Sequence, residues 1–556
     1  MPKLTTETIK ELFLYSTKEF ANEQATSFVD EEPFTYGQIE RYSKALANSL
    51  LKLGVKKGDR VAILSENSPR WGIAYFADCL IGAVNVPILP DFHSSEINHI
   101  IKNSGSKVMF ISSKLVHKIE DGKFAELEYV IPIDDVKDGL GKFKVRLFSD
   151  LVRAGEDKSK EPVEKRVEIK ENDLVEILYT SGTTGHSKGV MLTNKNIVAN
   201  ALSATELIQI TKDDKLLSIL PMSHSYEGTC GFIAPFLMGA KIYYIKGLPT
   251  PQTLLPAVDV VKPTIILAVP LIMDKIYKKR VLGHINGKFA TRLLYKSAPG
   301  RKLLNRIAGQ KLYKTFGGNL RIMVFGGAAT PVEVEIFLTE GGFPYISGYG
   351  LTETAPLLTA NPVGKQKIQS AGVVVPRVML RIDDPDPNTG IGEIVAKGPN
   401  IMQGYYLNEE ATKKTFTEDG WLITGDRGYI DEDGYLFIKG RSKNIIVGPS
   451  GENIFPEEIE FHLSQNPYIL EALVYEKDGK ILARVFLDYE TIDKELGKHG
   501  VDESKASREV QKLLEEIRKD VNTKISAYSR IHKIIEQPEE FVKTPTKKIK
   551  RYLYTE

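Results

Sequence analysis

The sequence predicts an α/β protein with a large, multi-subdomain N-terminal α/β domain, a β-rich subdomain and a small α+β C-terminal domain. Short apolar strands alternate with helical patterns in the first half, as in the βαβ units of a largely parallel sheet. Around Gly390 short strands and tight turns replace this alternation. The 556 residues also exceed what one hydrophobic core usually supports, so more than one domain is expected.

The first half of the chain is predicted to form helices and strands in turn. Thr35 and Gln38 have the spacing of a capping box, and apolar residues then recur at helical spacing. Gly54 is predicted to close this helix. Strands are predicted at 60–64, 85–89 and 107–111, with helices through 71–80 and 96–101 between them. Farther along, Asn194 is predicted to cap another helix.

The second half is predicted to end in a compact unit of its own. A helix is expected at 456–463, followed by a hairpin through 473–487 that turns at Asp478-Gly479. A longer helix has one apolar face, formed by Val510, Leu513, Leu514, Ile517, Val521 and Ile525. We place a domain boundary at 441–443, which gives an N-terminal domain of residues 1–440 and a C-terminal domain of residues 441–556.

The composition is that of an ordinary globular protein, with 42% hydrophobic and 26% charged residues. A net charge of +2 gives no reason to expect a nucleic-acid partner. Cys79 and Cys230 lie far apart, so no disulfide framework is predicted and a reducing cytoplasm is expected. The start of the chain lacks a signal-peptide pattern, and the longest apolar stretch, 264–273, is half the length of a membrane span. The sequence is compatible with peripheral membrane contact.

A loop of glycines, hydroxyls and one lysine follows an apolar strand that ends near Leu178. It runs from Tyr179 to Gly189 as Tyr-Thr-Ser-Gly-Thr-Thr-Gly-His-Ser-Lys-Gly. The backbone N–H groups and hydroxyls of such a loop can surround phosphate oxygens, with Lys188 as a point charge. It is not a Walker A loop, since Gly189 stands where that motif has Ser or Thr. Alone, the loop fits a phosphate site or an ordinary turn.

Four further segments share this excess of glycine and polar groups, at 324–330, 345–354, 419–426 and 543–551. The first has two glycines that let backbone approach a flat ligand, and the second combines an aromatic, a hydroxyl and a carboxylate. The third ends a predicted strand with Asp426, whose carboxylate could bridge two ribose hydroxyls; the fourth is basic. Each has a plain alternative: Glu353 could cap a helix, Asp426 could close a turn, and the terminal lysines could be a solvated tail.

Five motifs in this order resemble those of the adenylate-forming superfamily, which holds acyl-CoA synthetases, peptide-synthetase adenylation domains and luciferases. They are Thr-Ser-Gly-Thr-Thr-Gly-x-x-Lys-Gly at 180–189, Gly-Tyr-Gly-Leu-Thr-Glu at 348–353, Thr-Gly-Asp at 424–426, Gly-Arg-x-Lys at 440–443 and Pro-Thr-x-Lys-x-Lys-Arg at 545–551. The resemblance extends from about residue 10 to residue 551. Segments at 384–390, 450–456 and 526–531 are most similar to the long-chain fatty acid–CoA ligases.

The resemblance implies a two-step reaction. A carboxylate attacks the α-phosphate of ATP and releases pyrophosphate, and the thiol of coenzyme A then displaces AMP from the acyl-adenylate. The family pattern assigns the β- and γ-phosphates to Thr180, Ser181, Gly182, Thr183, Thr184, Gly185 and Lys188, and Mg²⁺ to Thr180 and Glu353. It places Gly326, Gly327, Ala328 and Tyr349 around adenine, adds Gly350 and Thr352 to the ATP-binding residues, and assigns the ribose to Asp426 with Arg441. A metal ion and a lysine aimed at the phosphates would stabilise the transition state.

The resemblance also implies roles outside the nucleotide site. His224 matches a position at the carboxylate end of the acyl pocket, although a lone histidine is more often a core residue. The small domain is expected to be mobile, with Lys443 as the hinge. Alignment with the long-chain group favours Lys548 over its neighbour Lys547 as the catalytic lysine. Three departures stand out: His186-Ser187 replaces the usual residue-plus-proline, Arg427 replaces an apolar residue, and Lys547 stands where much of the superfamily has glycine.

The sequence therefore predicts a Mg²⁺- and ATP-dependent ligase that joins a medium- to long-chain fatty acid to coenzyme A. One alternative acceptor is the phosphopantetheine of a carrier protein. A second alternative is a non-enzymatic nucleotide-binding relative, against which the presence of Glu353, Asp426 and a C-terminal lysine argues. Acyl chain length depends on how side chains pack at 222–236, which spacing does not reveal, and the oligomeric state is equally undefined.

Overall fold

The computed structural model describes residues 2–156, 161–180, 187–247, 249–447, 453–496, 503–544 and 548–555. The chain forms two compact units. The large unit comprises Met1–Leu380 and Ala396–Leu422, and the small unit comprises Arg381–Val395 and Ile423–Glu556. Both helices and strands are present in each unit, so the predicted α/β class is confirmed.

The α-helices of the described residues are distributed along the whole chain. They are α1 (Ile9–Glu19), α2 (Tyr36–Lys52), α3 (Pro69–Ile81), α4 (Ser94–Ser104), α5 (Phe148–Gly155), α6 (Val163–Arg166), α7 (Asn194–Ile208), α8 (Ala234–Leu237), α9 (Pro251–Val261), α10 (Pro270–Ile276), α11 (Gly283–Asn286), α12 (Phe289–Tyr295), α13 (Ala298–Thr315), α14 (Val332–Gly341), α15 (Glu409–Lys413), α16 (Pro456–Ser464), α17 (Tyr489–Leu496) and α18 (Glu503–Asn522). Two π-helical segments, Tyr226–Ile233 and Tyr277–Leu282, adjoin α8 and α10.

The strands are short, and most belong to the large unit. They are β1 (Gln24–Phe28), β2 (Phe34–Thr35), β3 (Arg60–Leu64), β4 (Val84–Ile88), β5 (Val108–Ile111), β6 (Tyr129–Pro132), β7 (Leu174–Thr180), β8 (Lys188–Thr193), β9 (Lys215–Ser218), β10 (Lys241–Tyr244), β11 (Ile265–Ala268), β12 (Ile322–Phe325), β13 (Tyr345–Gly350), β14 (Leu357–Ala360), β15 (Val373–Val374), β16 (Met379–Asp383), β17 (Gly392–Lys397), β18 (Gly404–Tyr405), β19 (Leu422–Ile430), β20 (Leu436–Arg441), β21 (Ile446–Val447), β22 (Asn453–Ile454), β23 (Ile469–Lys477), β24 (Lys480–Leu487) and β25 (Lys533–Glu536).

Two sheets form the framework of the large unit. The nine-stranded sheet has the order β15-β14-β13-β12-β11-β9-β10-β1-β2, and its strands from β13 to β1 are parallel. The seven-stranded sheet has the order β18-β8-β7-β4-β3-β5-β6. Its β7, β4, β3, β5 and β6 are parallel, whereas β8 and β18 are antiparallel additions at one edge. The predicted largely parallel arrangement is confirmed.

Helices fill the space between the two sheets and cover their outer faces. Side chains of β11 alternate, with Ile265 and Leu267 in the core between the sheets and Ile266 on the opposite face. Every residue of α3 except Arg70 is buried. A helix with neighbours all round needs apolar residues all round, and the sequence of α3 meets that requirement.

The small unit contains a four-stranded sheet and a three-stranded sheet, with the orders β16-β17-β19-β20 and β23-β24-β25. The hairpin of β23 and β24 turns at Asp478-Gly479 as predicted, and both residues have positive φ, at 53° and 70°. Helix α18 buries Val510, Leu514, Ile517 and Val521 against this sheet's core, which confirms the predicted apolar face.

Most predicted elements of the first half are also confirmed. The Thr35 hydroxyl accepts from the Gln38 N–H at 3.2 Å, and the Gln38 side chain accepts from the Thr35 N–H at 2.8 Å. Together they form the predicted capping box of α2. The prediction that Asn194 caps α7 is wrong, because Thr193 and Asn196 form that capping box. Asn194 instead accepts from the backbone N–H of Ile9 at 3.0 Å, so it tethers the start of α1.

The compact division of the chain falls earlier than the boundary predicted at 441–443. A Cβ on Gly440 would lie 2.8 Å from Glu457 Oε2, so β20 packs directly against α16. Beside it, Ser442 donates to the Glu393 carboxylate. These contacts join the β-rich subdomain to the C-terminal residues in one unit, whereas the sequence-based division assigned it to the N-terminal domain. The hinge at Lys443 stays a prediction.

Candidate active site

The glycine-rich loop joins the ends of two paired strands of the seven-stranded sheet. Strands β7 and β8 are antiparallel, and Thr180 lies directly opposite Lys188 at the point where the loop leaves the sheet. Residues 181–186 lie outside the described residues, and with them the predicted phosphate ligands Ser181, Gly182, Thr183, Thr184 and Gly185. Thr180 and Lys188, which flank the loop, are therefore held next to each other by the pairing of β7 with β8.

A tyrosine connects Lys188 to Glu353. The Nζ atom of Lys188 lies 4.9 Å from the centre of the Tyr405 ring, within the range of a cation–π contact. The Tyr405 hydroxyl donates to Glu353 Oε1 at 2.8 Å. Strand β18 pairs with β8 and places Tyr405 opposite Val190, so the ring is held by the same sheet edge as the lysine. The predicted cation and carboxylate are thus brought together.

Sequence reasoning missed Tyr405. It lies in none of the five motifs and is 52 residues from Glu353 along the chain. The short pairing of β18 with β8 helps bring it to the site, and a two-residue strand gives no recognisable sequence pattern. The alternative in which Glu353 caps a helix does not describe its surroundings, since its carboxylate accepts from Tyr405 and its carbonyl accepts from the Met402 N–H.

The segment before Glu353 makes a tight turn at the end of β13. Tyr349 and Gly350 end the strand, and Thr352 opens the 3₁₀ turn Thr352–Thr354. A Cβ on Gly350 would lie only 1.8 Å from the Pro356 carbonyl oxygen, so only glycine fits there. This close approach aims Glu353 away from the nine-stranded sheet and toward the edge that holds Lys188.

The predicted adenine segment follows the strand next to β13. Gly326, Gly327 and Ala328 come directly after β12, which is parallel to β13 with Phe325 opposite Ser347. The ring of Tyr226 lies 3.0 Å from where a Cβ on Gly326 would be, and its hydroxyl donates to the Val324 carbonyl at 2.9 Å. The glycine therefore leaves room for an aromatic ring against the backbone, and sequence reasoning missed that ring.

Asp426 and Arg441 are neighbours across two antiparallel strands of the small unit. Arg441 Nε lies 3.0 Å from Asp426 Oδ1, and the Asp426 side chain is buried. The sequence placed Asp426 at the end of a strand, but β19 continues to Ile430. Arg427 follows it and donates to the Ile391 carbonyl at 3.3 Å, so the departure from the family pattern serves a local contact between β19 and the segment before β17.

Lys443 and Lys548 also lie in the small unit. Lys443 is exposed within the 3₁₀ turn Ser442–Asn444, whose flanking side chains donate to Glu393 and Glu457. Lys548 is exposed, and its backbone forms two hydrogen bonds with Thr544: the Thr544 N–H donates to the Lys548 carbonyl at 2.7 Å, and the Lys548 N–H donates to the Thr544 hydroxyl at 3.2 Å. Lys547 lies outside the described residues.

The oxygen donors at the loop fit Mg²⁺ that arrives with a phosphorylated ligand. Within the described ranges, no group of three or more His, Cys, Asp and Glu side chains could hold a metal ion. Thr180 offers a hydroxyl and Glu353 a carboxylate, and Mg²⁺ is normally bound by one or two carboxylates together with substrate phosphates and water. A permanent metal centre would need more protein ligands than these two.

A small pocket, with room for about one water molecule, lies between the two sheets beside the Tyr226–Ile233 segment. Its lining residues are Trp71, Tyr75, Glu176, Ile197, Met222, Ser225, Gly228, Thr229, Phe232 and Ile233. Trp71 stacks on Tyr75 with ring centres 5.4 Å apart, and Phe232 meets Trp71 edge-on at 5.9 Å. His224 is half-buried next to the lining residue Ser225. Several lining residues belong to the segment 222–236, whose side-chain packing was expected to set the length of the acyl chain.

Polar groups interrupt this aromatic lining. Glu176 is buried on β7 and accepts from the Tyr75 hydroxyl at 3.2 Å. Burial raises the pKa of Glu176 to about 8, and it raises the pKa of nearby Glu227 to about 8 as well. Trp71 Nε1 and Ser225 Oγ are buried, and neither has a hydrogen-bond partner among the described residues. The pocket wall therefore combines apolar area with hydrogen-bonding atoms, as ligand sites commonly do.

Known proteins resemble this chain along nearly all of its length. The family model described as AMP-binding enzyme matches residues 15–406. The long-chain-fatty-acid–CoA ligase FadD15 of Mycobacterium bovis is 32% identical over 468 residues, which cover 79% of this chain and 74% of that protein. The 4-coumarate–CoA ligase 1 of Petroselinum crispum is 30% identical over 470 residues, covering 81% and 79%. The crystal structure of the anthranilate CoA ligase AuaEII with anthranoyl-AMP has the same fold, with a TM-score of 0.77, 22% identity and coverage of 100% and 97%.

We predict that Glu176 makes stability fall as pH rises. Its folded pKa of about 8 lies above the ordinary value of 4.5, so the folded state binds more protons than the unfolded state from about pH 4.5 to about pH 8. The free energy of unfolding therefore decreases through that window. Glu176→Gln keeps an acceptor for Tyr75 but cannot titrate, so its urea midpoint should fall less steeply with pH than that of the wild type.

The matched control is Glu418→Gln, which changes an exposed side chain outside the pocket. It should reproduce the wild-type dependence of the urea midpoint on pH. Equal slopes for the wild type and Glu176→Gln across this window would show that the buried carboxyl does not govern the effect.

Proposed function

This chain belongs to the AMP-binding enzyme family, and from that membership we propose that it is an AMP-forming fatty acid–CoA ligase. In the first step, the acid's carboxylate attacks the α-phosphate of ATP, and pyrophosphate leaves with the electrons of the broken P–O bond. In the second step, the thiol of coenzyme A attacks the acyl-adenylate and AMP leaves. The substrates are a carboxylic acid, ATP and coenzyme A.

The observation that supports this proposal best is the connection of Lys188 to Glu353 through Tyr405. It sets a cation and a carboxylate beside Thr180, at the mouth of a loop rich in N–H and hydroxyl donors. Lys188 would offset negative charge on the phosphates as it develops, and groups fixed before the reaction need little reorganisation. Tyr405 would hold both side chains in position while pyrophosphate leaves.

Other residues would hold the nucleoside. The backbone at Gly326, Gly327 and Ala328, with the ring of Tyr349, would enclose adenine. Asp426 would accept hydrogen bonds from the ribose hydroxyls while Arg441 Nε, 3.0 Å from Asp426 Oδ1, holds that carboxylate in orientation. Thr180 and Glu353 would bind Mg²⁺, which when bound supplies positive charge to the phosphate oxygens.

The choice of a fatty acid rests on the relatives and on the side chains near His224. FadD15 is named a long-chain-fatty-acid–CoA ligase, and the apolar side chains Met222, Phe232 and Phe236 are buried in the segment 222–236. A second candidate is an aromatic acid with a polar substituent. The stacked pair Trp71 and Tyr75 supports it, as do the unpartnered Trp71 Nε1 and Ser225 Oγ, since a buried polar atom without a partner is costly.

A substrate panel tests the proposal. Pyrophosphate release should be measured with acetate, with fatty acids of increasing length and with 4-hydroxycinnamate, each with and without coenzyme A. We expect medium- to long-chain fatty acids to give the highest kcat/KM, with turnover that requires coenzyme A. A preference for the hydroxylated aromatic acid would favour the second candidate. Product that forms only with a phosphopantetheinylated carrier protein would identify the alternative acceptor, and no release with any acid would overturn the proposed ligase.

We predict that Glu353→Ala lowers adenylate formation by about 10²-fold or more, because it removes the carboxylate that would bind the metal ion at the phosphates. Folding should change little, since the side chain belongs to a polar site and not to the core. Pyrophosphate release should be measured at saturating Mg²⁺, with Glu418→Ala as the exposed control. Wild-type release by Glu353→Ala under those conditions would refute the role.

We also predict that Lys548 and Lys443 serve different half-reactions. Lys548→Ala should block acyl-adenylate formation yet convert supplied acyl-adenylate and coenzyme A to thioester. Lys443→Pro should form adenylate and then stall, because proline fixes φ at a residue proposed to rotate between the steps. Single-turnover assays of each step measure both effects.

Two further variants control this test. Lys443→Ala removes the charge but leaves the backbone free, so it should complete both steps. Lys547→Ala should behave like the wild type; if it shows the adenylation defect in place of Lys548→Ala, the assignment of the catalytic lysine is off by one. Equal loss of both steps in Lys548→Ala and Lys443→Pro would contradict the division of roles.

A further inference from the structure

One stretch of the large unit has an unusual charge pattern. Between Lys275 and Thr315 the chain contains twelve lysines and arginines and no aspartate or glutamate. They are Lys275, Lys278, Lys279, Arg280, Lys288, Arg292, Lys296, Arg301, Lys302, Arg306, Lys311 and Lys314. Because the whole chain has a net charge of only +2, this excess is strongly localised.

Large apolar side chains are exposed within the same stretch. In α12, Phe289 is 73% exposed and Leu293, one turn later, is 60% exposed. This helix is described throughout and buries none of its residues. Lys288, Arg292 and Lys296 follow each other at four-residue intervals beside that apolar pair, and all three are exposed. An exposed helix with adjacent apolar and cationic stripes has the pattern of helices that lie in a membrane interface.

The next helix repeats this pattern. Leu303 and Ile307 are 54% and 58% exposed and lie one turn apart on α13. They are on the face opposite to Asn305 and Gly309, which are buried against the protein. A Cβ on Gly309 would lie 2.5 Å from the Gly341 carbonyl oxygen, so α13 packs closely on α14 by its inner face. Its outer face is left to Leu303 and Ile307, with exposed Lys302 and Arg306 beside them.

A polar network holds the two helices in place. The Tyr277 and Tyr295 hydroxyls lie 3.0 Å apart, and Tyr295 donates to Asn305 Oδ1 at 3.2 Å. Asn305 in turn donates to Glu340, which also pairs with Arg301 at 2.8 Å. These contacts fix both helices in place. The exposed apolar side chains of α12 and α13 therefore lie on anchored helices.

We propose that α12 and the outer face of α13 form a docking surface for anionic phospholipid bilayers. Phe289, Leu293, Leu303 and Ile307 would enter the headgroup region, and the neighbouring cations would meet lipid phosphates. Scattered exposed apolar residues are normal on protein surfaces. Here four of them lie on two adjacent helices, within a stretch that contains many cations and no acidic residue. This combination matches the surface of an anionic bilayer, which has apolar chains beneath negatively charged headgroups. Within the described residues, no helix is long and apolar enough to cross the bilayer, so the contact is peripheral.

Vesicle co-sedimentation of the full chain tests this inference without relying on ligase activity. The probes are vesicles of phosphatidylcholine alone and vesicles in which roughly one third is phosphatidylglycerol. We expect binding to the anionic vesicles only, weakened by about 1 M salt, which reduces the Debye length to about 3 Å. Phe289→Ser with Leu293→Ser should weaken binding at least about tenfold. Lys302→Glu with Arg306→Glu should weaken it by about fivefold or more for each cation lost.

Matched controls lie elsewhere on the large unit. Val363→Ser removes another exposed apolar side chain and Lys413→Glu reverses another exposed cation, and both should bind anionic vesicles like the wild type. Folding should persist in the test variants because all four changed side chains are exposed, and circular dichroism checks this.

Three results would overturn the inference. The first is wild-type vesicle binding by both double variants. The second is the absence of vesicle binding together with binding of a homopolymeric RNA that Lys302→Glu with Arg306→Glu abolishes, which would make the surface a nucleic-acid site. The third is the absence of vesicle binding together with a concentration-dependent dimer that Phe289→Ser with Leu293→Ser dissociates, which would make it an interface between two copies of this chain.

Discussion

The large unit depends on burial of α3 between its two sheets. Because all of its faces meet apolar neighbours, the sheets on either side are held at the distance that the helix layer requires. Phe76 on this helix lies 4.6 Å from Phe236 and 4.7 Å from Phe13, ring centre to ring centre, so the layer is closely packed. Residues contributed by different sheets can then meet in a fixed geometry, which chain neighbours alone could not provide.

The candidate site shows this consequence directly. Glu353 comes from the end of a strand in the nine-stranded sheet, whereas Lys188 and Tyr405 come from the edge of the seven-stranded sheet. A shift of either sheet by the width of one side chain would separate the Tyr405 hydroxyl from the Glu353 carboxylate. Core packing therefore preorganises the site. Gly350 also contributes, because its lack of a side chain allows the backbone to pass close to the Pro356 carbonyl just before Glu353.

Features that depend on local sequence could be predicted, and features that depend on pairing distant residues could not. The capping box at Thr35, the hairpin turn at Asp478-Gly479 and the apolar face of α18 all follow from residues a few positions apart. Tyr405 escaped prediction because a two-residue strand has no periodicity. Asn194 was misassigned because Thr193 and Asn196 satisfy the same capping pattern one residue earlier. The compact units group most of the β-rich subdomain with the C-terminal residues, whereas the sequence-based division did not. The packing of β20 on α16 depends on Gly440, which has no side chain that could form a recognisable pattern.

The net charge of +2 gives no indication of the cationic surface on α12 and α13. A net charge close to zero argues against strong non-specific attraction to polyanions only when acidic and basic residues are evenly mixed over the surface. Here twelve cations occupy 275–315 without an acidic residue, so the remainder of the chain has an excess of acidic over basic residues. An anionic surface would attract the region formed by these cations, although the net charge of the whole chain is close to zero. This local attraction would orient the large unit so that Phe289, Leu293, Leu303 and Ile307 face the anionic bilayer.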